Sequence, residues 1–178
     1  MRRLALVLHV AASVGWLGAV VTSLALGVVA LTSGDAGVVR GVYLVLEPAG
    51  WATLVPFSLA GLATGLVQSI GTGWGLVRHY WVLVKLLLNL FATAVLLLYM
   101  QTLATLADLA RDPGVELAEL RTVSPVVHAG AAVALLLVAL VLSVYKPRGV
   151  TPWAGPTAPG RRRHTPPPAR RGPAVTAS

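Results

Sequence analysis

Residues 79–85 read His79-Tyr80-Trp81-Val82-Leu83-Val84-Lys85, and after Lys85 no formal charge occurs until Asp108. A run of that length crosses the roughly 30 Å hydrocarbon core of a bilayer as a helix. It also leaves a lysine about one helical turn inside the span. An ionisable group at the centre of a transmembrane helix costs about 2.5–3.5 kcal/mol on insertion scales. Near the end the cost falls, because the four-carbon stem lets the ammonium reach the interface. Two readings of Lys85 follow. It either snorkels to the headgroups or sits in the bundle interior, neutralising an anionic ligand or poising a proton.

The rest of the composition agrees with a membrane chain. Of 178 residues, 56% are hydrophobic and 11% charged, too few charges to clothe a soluble domain. The absence of cysteine excludes disulfides and thiolate metal sites. The formal charge of +8 does not indicate nucleic acid, because the basic residues flank apolar spans or lie in a tail.

Four spans are expected, at about 4–31, 51–70, 80–106 and 124–145, giving an all-α, polytopic integral membrane four-helix bundle. In the first, Ala11, Gly15 and Ala19 form a small-residue stripe for close packing, while His9 and Trp16 lie two turns apart on another side. Between the first two spans, Ser33-Gly34-Asp35 reads as a stop and Glu47-Pro48 as a start. The apolar residues 38–46 should form a short helix lying on the bundle or continuing into the next span. Pro56 falls near the start of the second span, and Gly61-x-x-x-Gly65 marks a close-packing face. The glycines of 71–75 make a tight turn, without the lysine or strand of a phosphate loop. In the third span Trp81, Lys85 and Asn89 recur every four residues as one polar-aromatic stripe, of the kind that faces protein. Residues 147–178, rich in proline and arginine, should be a disordered tail that holds anionic lipid headgroups loosely.

Charge fixes the expected orientation. The side carrying the N-terminus, the 71–80 turn and the tail holds ten basic residues and no acidic one. The opposite side holds Arg40, Arg111 and Arg121 against six carboxylates. The positive-inside rule therefore places both termini in the cytoplasm. Spans one and three then run parallel, with His9 and Lys85 at similar depth near their cytoplasmic ends. The expected consequence is one cytoplasmic-side pocket holding His9 and Lys85, lined by Trp16, Trp81 and Asn89. His128 starts a helix from the other face, about 15 Å away in depth.

These residues carry a resemblance. Leu8-His9-Val10 with Trp16-Leu17-Gly18, and Trp81-Val82-Leu83-Val84-Lys85-Leu86-Leu87, resemble helices one and three of a group of small bacterial membrane proteins. That group includes the copper-resistance D-type proteins and the four-helix protoporphyrinogen oxidases. Val55-Pro56, Thr64-Gly65 and Trp74-Gly75-Leu76 extend the likeness, over roughly residues 4–145, to an uncharacterised integral membrane family of the same group. The resemblance implies a haem site (haem b), with His9 as the axial ligand to iron and Lys85 as a polar partner. Imidazole binds iron, tryptophans pack on a macrocycle, and lysine pairs with a propionate. A copper role is disfavoured, since Met1 and Met100 are the only soft ligands.

The functional expectation is a small multi-pass protein of a bacterial cytoplasmic membrane, partnered by the lipid bilayer and acting as a non-enzymatic accessory or structural bundle. Association with itself or with another subunit stays open. The alternative is a haem- or porphyrin-binding redox protein built on the His9/Lys85 pocket.

Overall fold

The computed structural model describes residues 2–71 and 80–145, all helix and short connections. The expected tail at 147–178 and most of the glycine turn lie outside the described residues. Helix α1 spans Arg2–Thr32, α2 Ala36–Ala49, α3 Val55–Gly71, α4 Tyr80–Arg111, α5 Leu117–Leu120 and α6 Ser124–Tyr145. A π-helical turn, Gly50–Leu54, joins α2 to α3. Four helical stretches are long and apolar enough to cross a membrane: Arg3–Thr32, Ala36–Ile70, Tyr80–Arg111 and Leu117–Tyr145.

The 38–46 segment takes the second of the two courses open to it, continuing into the next span. Glu47 and Pro48, which resemble a helix start, lie inside that 35-residue stretch. Proline removes one backbone donor and crowds the preceding turn. Here the chain widens to π geometry just after Pro48 and before Pro56, so the freed carbonyls are rearranged and the helix is not ended. Thr53 Oγ1 donates to the Ala49 carbonyl (2.7 Å) and Ser58 Oγ to that of Val55 (2.9 Å), supplying donors within this stretch.

The helices form a ring. α1 packs on α3 and α6, α4 packs on α3 and α6, and among the described residues the backbones of α1 and α4 stay more than 8 Å apart, meeting only through side chains such as Trp16. They run parallel but stand diagonally. Two glycines of α1 admit its neighbours closely. A Cβ on Gly15 would come within 2.9 Å of the Phe57 ring on α3, and one on Gly27 within 3.2 Å of Pro125 on α6. Gly50 is likewise filled over by Met100, whose Sδ would stand 2.9 Å from an added Cβ.

The end holding the α1–α2 and α4–α6 connections is the more elaborately built. Asp35 caps α2, its carboxylate accepting from the Gly37 (2.7 Å) and Val38 (3.4 Å) amides. α2 then lays Val39, Val42, Tyr43 and Leu46 against Met100, Leu103, Leu106 and Ala110 of α4. On top of that apolar contact, Arg40 donates to the carbonyls of Ala110 (3.0 Å), Asp112 (2.5 Å) and Val115 (2.5 Å). A helix C-terminus leaves its last carbonyls without partners, and one guanidinium supplies donors to the end of α4 and the turn that follows. Buried Tyr43 donates to the Leu120 carbonyl (2.8 Å), and Arg121 to that of Ser33, tying α5 and its flank to the α1–α2 junction.

Arg40→Ala should therefore lower stability by about 1–3 kcal/mol, since it strands carbonyls that a charged donor now satisfies. Thermal unfolding in detergent, read by the helical circular dichroism signal, measures it. A shift no larger than that of an exposed substitution such as Arg111→Ala would show that the cap contributes nothing.

Candidate functional site

Chemistry-bearing side chains inside the apolar spans gather in two places. The first is a polar layer near the start of α1 and α4, to which each of four helices contributes one residue. His9 Nδ1 lies 3.1 Å from Thr64 Oγ1 on α3, and Lys85 Nζ donates to Ser143 Oγ on α6 at 2.5 Å. Both hydroxyls also donate to their own helix, Thr64 to the Ala60 carbonyl (2.6 Å) and Ser143 to that of Ala139 (2.8 Å). A hydroxyl has one proton. With it committed to the i−4 carbonyl, Thr64 and Ser143 offer only lone pairs to the outside. His9 must then be the donor through Nδ1–H, which leaves its Nε2 with a bare lone pair.

Two relays of the same construction result: His9 to Thr64 to Ala60 between α1 and α3, and Lys85 to Ser143 to Ala139 between α4 and α6. They close opposite sides of the helix ring. Gly65 makes room for the first, since a Cβ there would stand 3.2 Å from His9 Cε1. One turn nearer the end, Gln68 Nε2 donates to the Ala5 carbonyl (2.9 Å), a second tie between α1 and α3.

His9 lies near the start of α1 and Lys85 near the start of α4. They do not, however, bond to each other or converge with the three companions expected from the sequence. Trp16 is 4% exposed and packs with Val20 and Leu54, against Ala92, Leu96 and Leu136, further along the bundle. Trp81 is half-buried at the start of α4. Asn89 is half-buried, without a hydrogen bond to another described residue. The stripe ends on Thr93, 4% exposed, whose hydroxyl is buried without a partner. Thr64 and Ser143 are the residues sequence reasoning missed. Their signal was a hydroxyl in the last two turns of each antiparallel neighbour.

The second place is a cavity of about 140 Å³ further along the bundle, between its two ends, lined among others by Trp16, Val20, Leu46, Leu54, Leu96, Tyr99, His128 and Leu136. His128 Nδ1 lies 3.0 Å from the Ser124 carbonyl, and its ring stacks on Tyr99 with centroids 3.9 Å apart and planes 15° from parallel. Tyr99 lies fourteen residues beyond Lys85, about 21 Å along α4. The two histidines thus occupy separate sites. Among the described residues, no three of His, Cys, Asp and Glu come together as metal ligands would.

The haem implied by the resemblance does not fit the arrangement. His9 Nε2 could ligate iron, but Lys85 is turned to α6 and Trp16 serves a different part of the core. The cavity Trp16 does line is smaller than the roughly 300–1,000 Å³ of ordinary cofactor sites, and His9 is not part of its wall. No protein-family model matches this chain, and no curated protein or solved structure matches it significantly.

Two outcomes test the layer. Ser143→Ala should destabilise the bundle by about 1–2 kcal/mol by stranding the Lys85 ammonium, and adding Lys85→Met should restore most of the loss. Purely additive losses in thermal unfolding would mean the two side chains are independent. Thr93→Val should leave stability unchanged or raise its unfolding midpoint, because it deletes a buried hydroxyl that has no partner. A clear drop would show that the hydroxyl holds a bond in solution.

Proposed function

We propose that this protein is a non-enzymatic accessory or structural bundle of a bacterial cytoplasmic membrane, crossing it four times with both termini in the cytoplasm. One observation carries the reading. The ionisable side chains that the sequence offers for chemistry, His9 and Lys85, are each committed to holding two helices together. In hydrocarbon an unsatisfied polar group costs several kcal/mol, and an interhelical hydrogen bond contributes about 0.6 kcal/mol on average. Such residues set which helices adjoin more than how tightly they bind. The orientation rests on charge, with ten basic and no acidic residues on one side and an acidic excess on the other.

The porphyrin reading keeps one support, the bare Nε2 of His9, and lacks the surrounding pocket. Purified protein should show no Soret band, and His9→Ala should change its unfolding midpoint but no absorbance. A Soret band that disappears in His9→Ala would replace this reading with the haem one. For topology, reporter fusions at Gly73 and Ser178 should report cytoplasm and one at Pro113 the opposite side. Any reversal overturns the orientation.

A further inference from the structure

The cavity beside His128 has features that a packing void lacks. Its wall is almost wholly apolar, and His128 is a nitrogen-bearing group on it whose hydrogen bond stays within its own helix. Because a backbone carbonyl can only accept, the Ser124 carbonyl fixes the proton of neutral His128 on Nδ1. Nε2, the nitrogen farther from the helix backbone, keeps its lone pair and has no hydrogen-bond partner among the described residues. Tyr99 holds the ring flat by stacking, and the Ser124 hydroxyl lies 3.4 Å from the Tyr99 hydroxyl, on the donor side. The acceptor is therefore oriented before any ligand arrives.

Size and wall chemistry narrow the ligand. A volume of about 140 Å³ is close to that of an engineered apolar cavity of about 150 Å³ that stays dry and takes up benzene. One ring fits, and a macrocycle does not. Trp16, Phe91 and Tyr99 supply aromatic wall, which favours a flat π-system over a branched aliphatic body. Phe91 on α4 and His128 and Ala131 on α6 are exposed and mark the open side, so His128 stands at the mouth of the cavity and entry is lateral, from the space between those helices. A ligand arriving there in a membrane comes from the lipid phase and can leave a tail in it.

We propose that this cavity is a binding site for a membrane-soluble phenol or hydroquinone, with its ring in the apolar cavity beside Trp16 and its hydroxyl at the mouth, donating to His128 Nε2. The polarity of that bond gives the site a preference. A bare Nε2 accepts a proton-bearing hydroxyl and has nothing to donate to a carbonyl, so the hydroquinone binds and the corresponding quinone does not. No electron transfer is part of the proposal, and it holds whether or not the bundle is an accessory component.

The test uses full-length protein in lipid bilayers with ¹⁵N-labelled histidine, the His128 resonances being assigned by their loss in His128→Phe. Adding 4-hexylphenol should move the His128 Nε2 resonance saturably and leave His9 unmoved. Its methyl ether, 4-hexylanisole, has the same ring and tail without the proton and should have no effect. Ala132→Phe, which fills the cavity, should abolish the response. Equal shifts with phenol and ether, no shift with either, or a shift that survives Ala132→Phe while the His9 resonances stay native would each overturn the proposal. The phenol–ether comparison needs no variant, so it decides the question even if Ala132→Phe misfolds.

Discussion

A serine or threonine in an apolar helix usually returns its proton to the carbonyl four residues back, and the architecture of this bundle depends on what that leaves over. Thr64 and Ser143 both do so, which turns each into a pure acceptor. Only a donor on a neighbouring helix can use that acceptor. His9 and Lys85 are the donors, and because each reaches a different neighbour the four helices are held as two tied couples, α1 with α3 and α4 with α6. Apolar side chains by themselves discriminate poorly between partner helices, the more so in the lipid surroundings of the proposed function. The polar layer does discriminate, and it places α1 and α4 on the diagonal.

The two ends of the bundle solve the same problem by different means. At the α4 terminus the backbone itself needs donors, and Arg40, Tyr43 and Arg121 reach carbonyls across 70 or more residues of sequence. That end is stitched through the main chain over a compact apolar core. At the other end the ties run from side chain to side chain. Between them lies the cavity, where Trp16, Ala92, Ala129 and Ala132 set one large ring among small side chains. A ring of helices fixed at both ends cannot readily collapse onto such a gap, which is how a void persists in an otherwise packed interior.

The four apolar stretches and their order were legible in the sequence, because a 20-residue run without charge has few other uses. The α2 boundary was not. Glu47-Pro48 reads as a helix start by local rules, but the proline is absorbed by a π-helical turn that depends on Gly50 closing against Met100. The site was half legible. His9 and Lys85 lie near the starts of α1 and α4, and the stripe of Trp81, Lys85 and Asn89 shares one half-buried face of α4. Position along a helix does not determine adjacency, though. Whether parallel helices touch or stand diagonally is decided by their antiparallel neighbours, and the partners there, Thr64 and Ser143, look like any hydroxyl in an apolar run. His128 was legible as separate in depth, while its stacking on Tyr99 needed the packing of α4 on α6.

The absence of cysteine allows the central claim, that His9 and Lys85 tie their helices to different neighbours, to be tested without background. Cysteines placed in couples at 9 and 64, at 85 and 143, and at 9 and 143 would be treated in native membranes with a short bifunctional thiol reagent. Linkage would be read after proteolysis between the spans. The account predicts efficient cross-linking of 9 with 64 and of 85 with 143, and little of 9 with 143. Efficient linkage of 9 with 143, with loss of the other two, would contradict it.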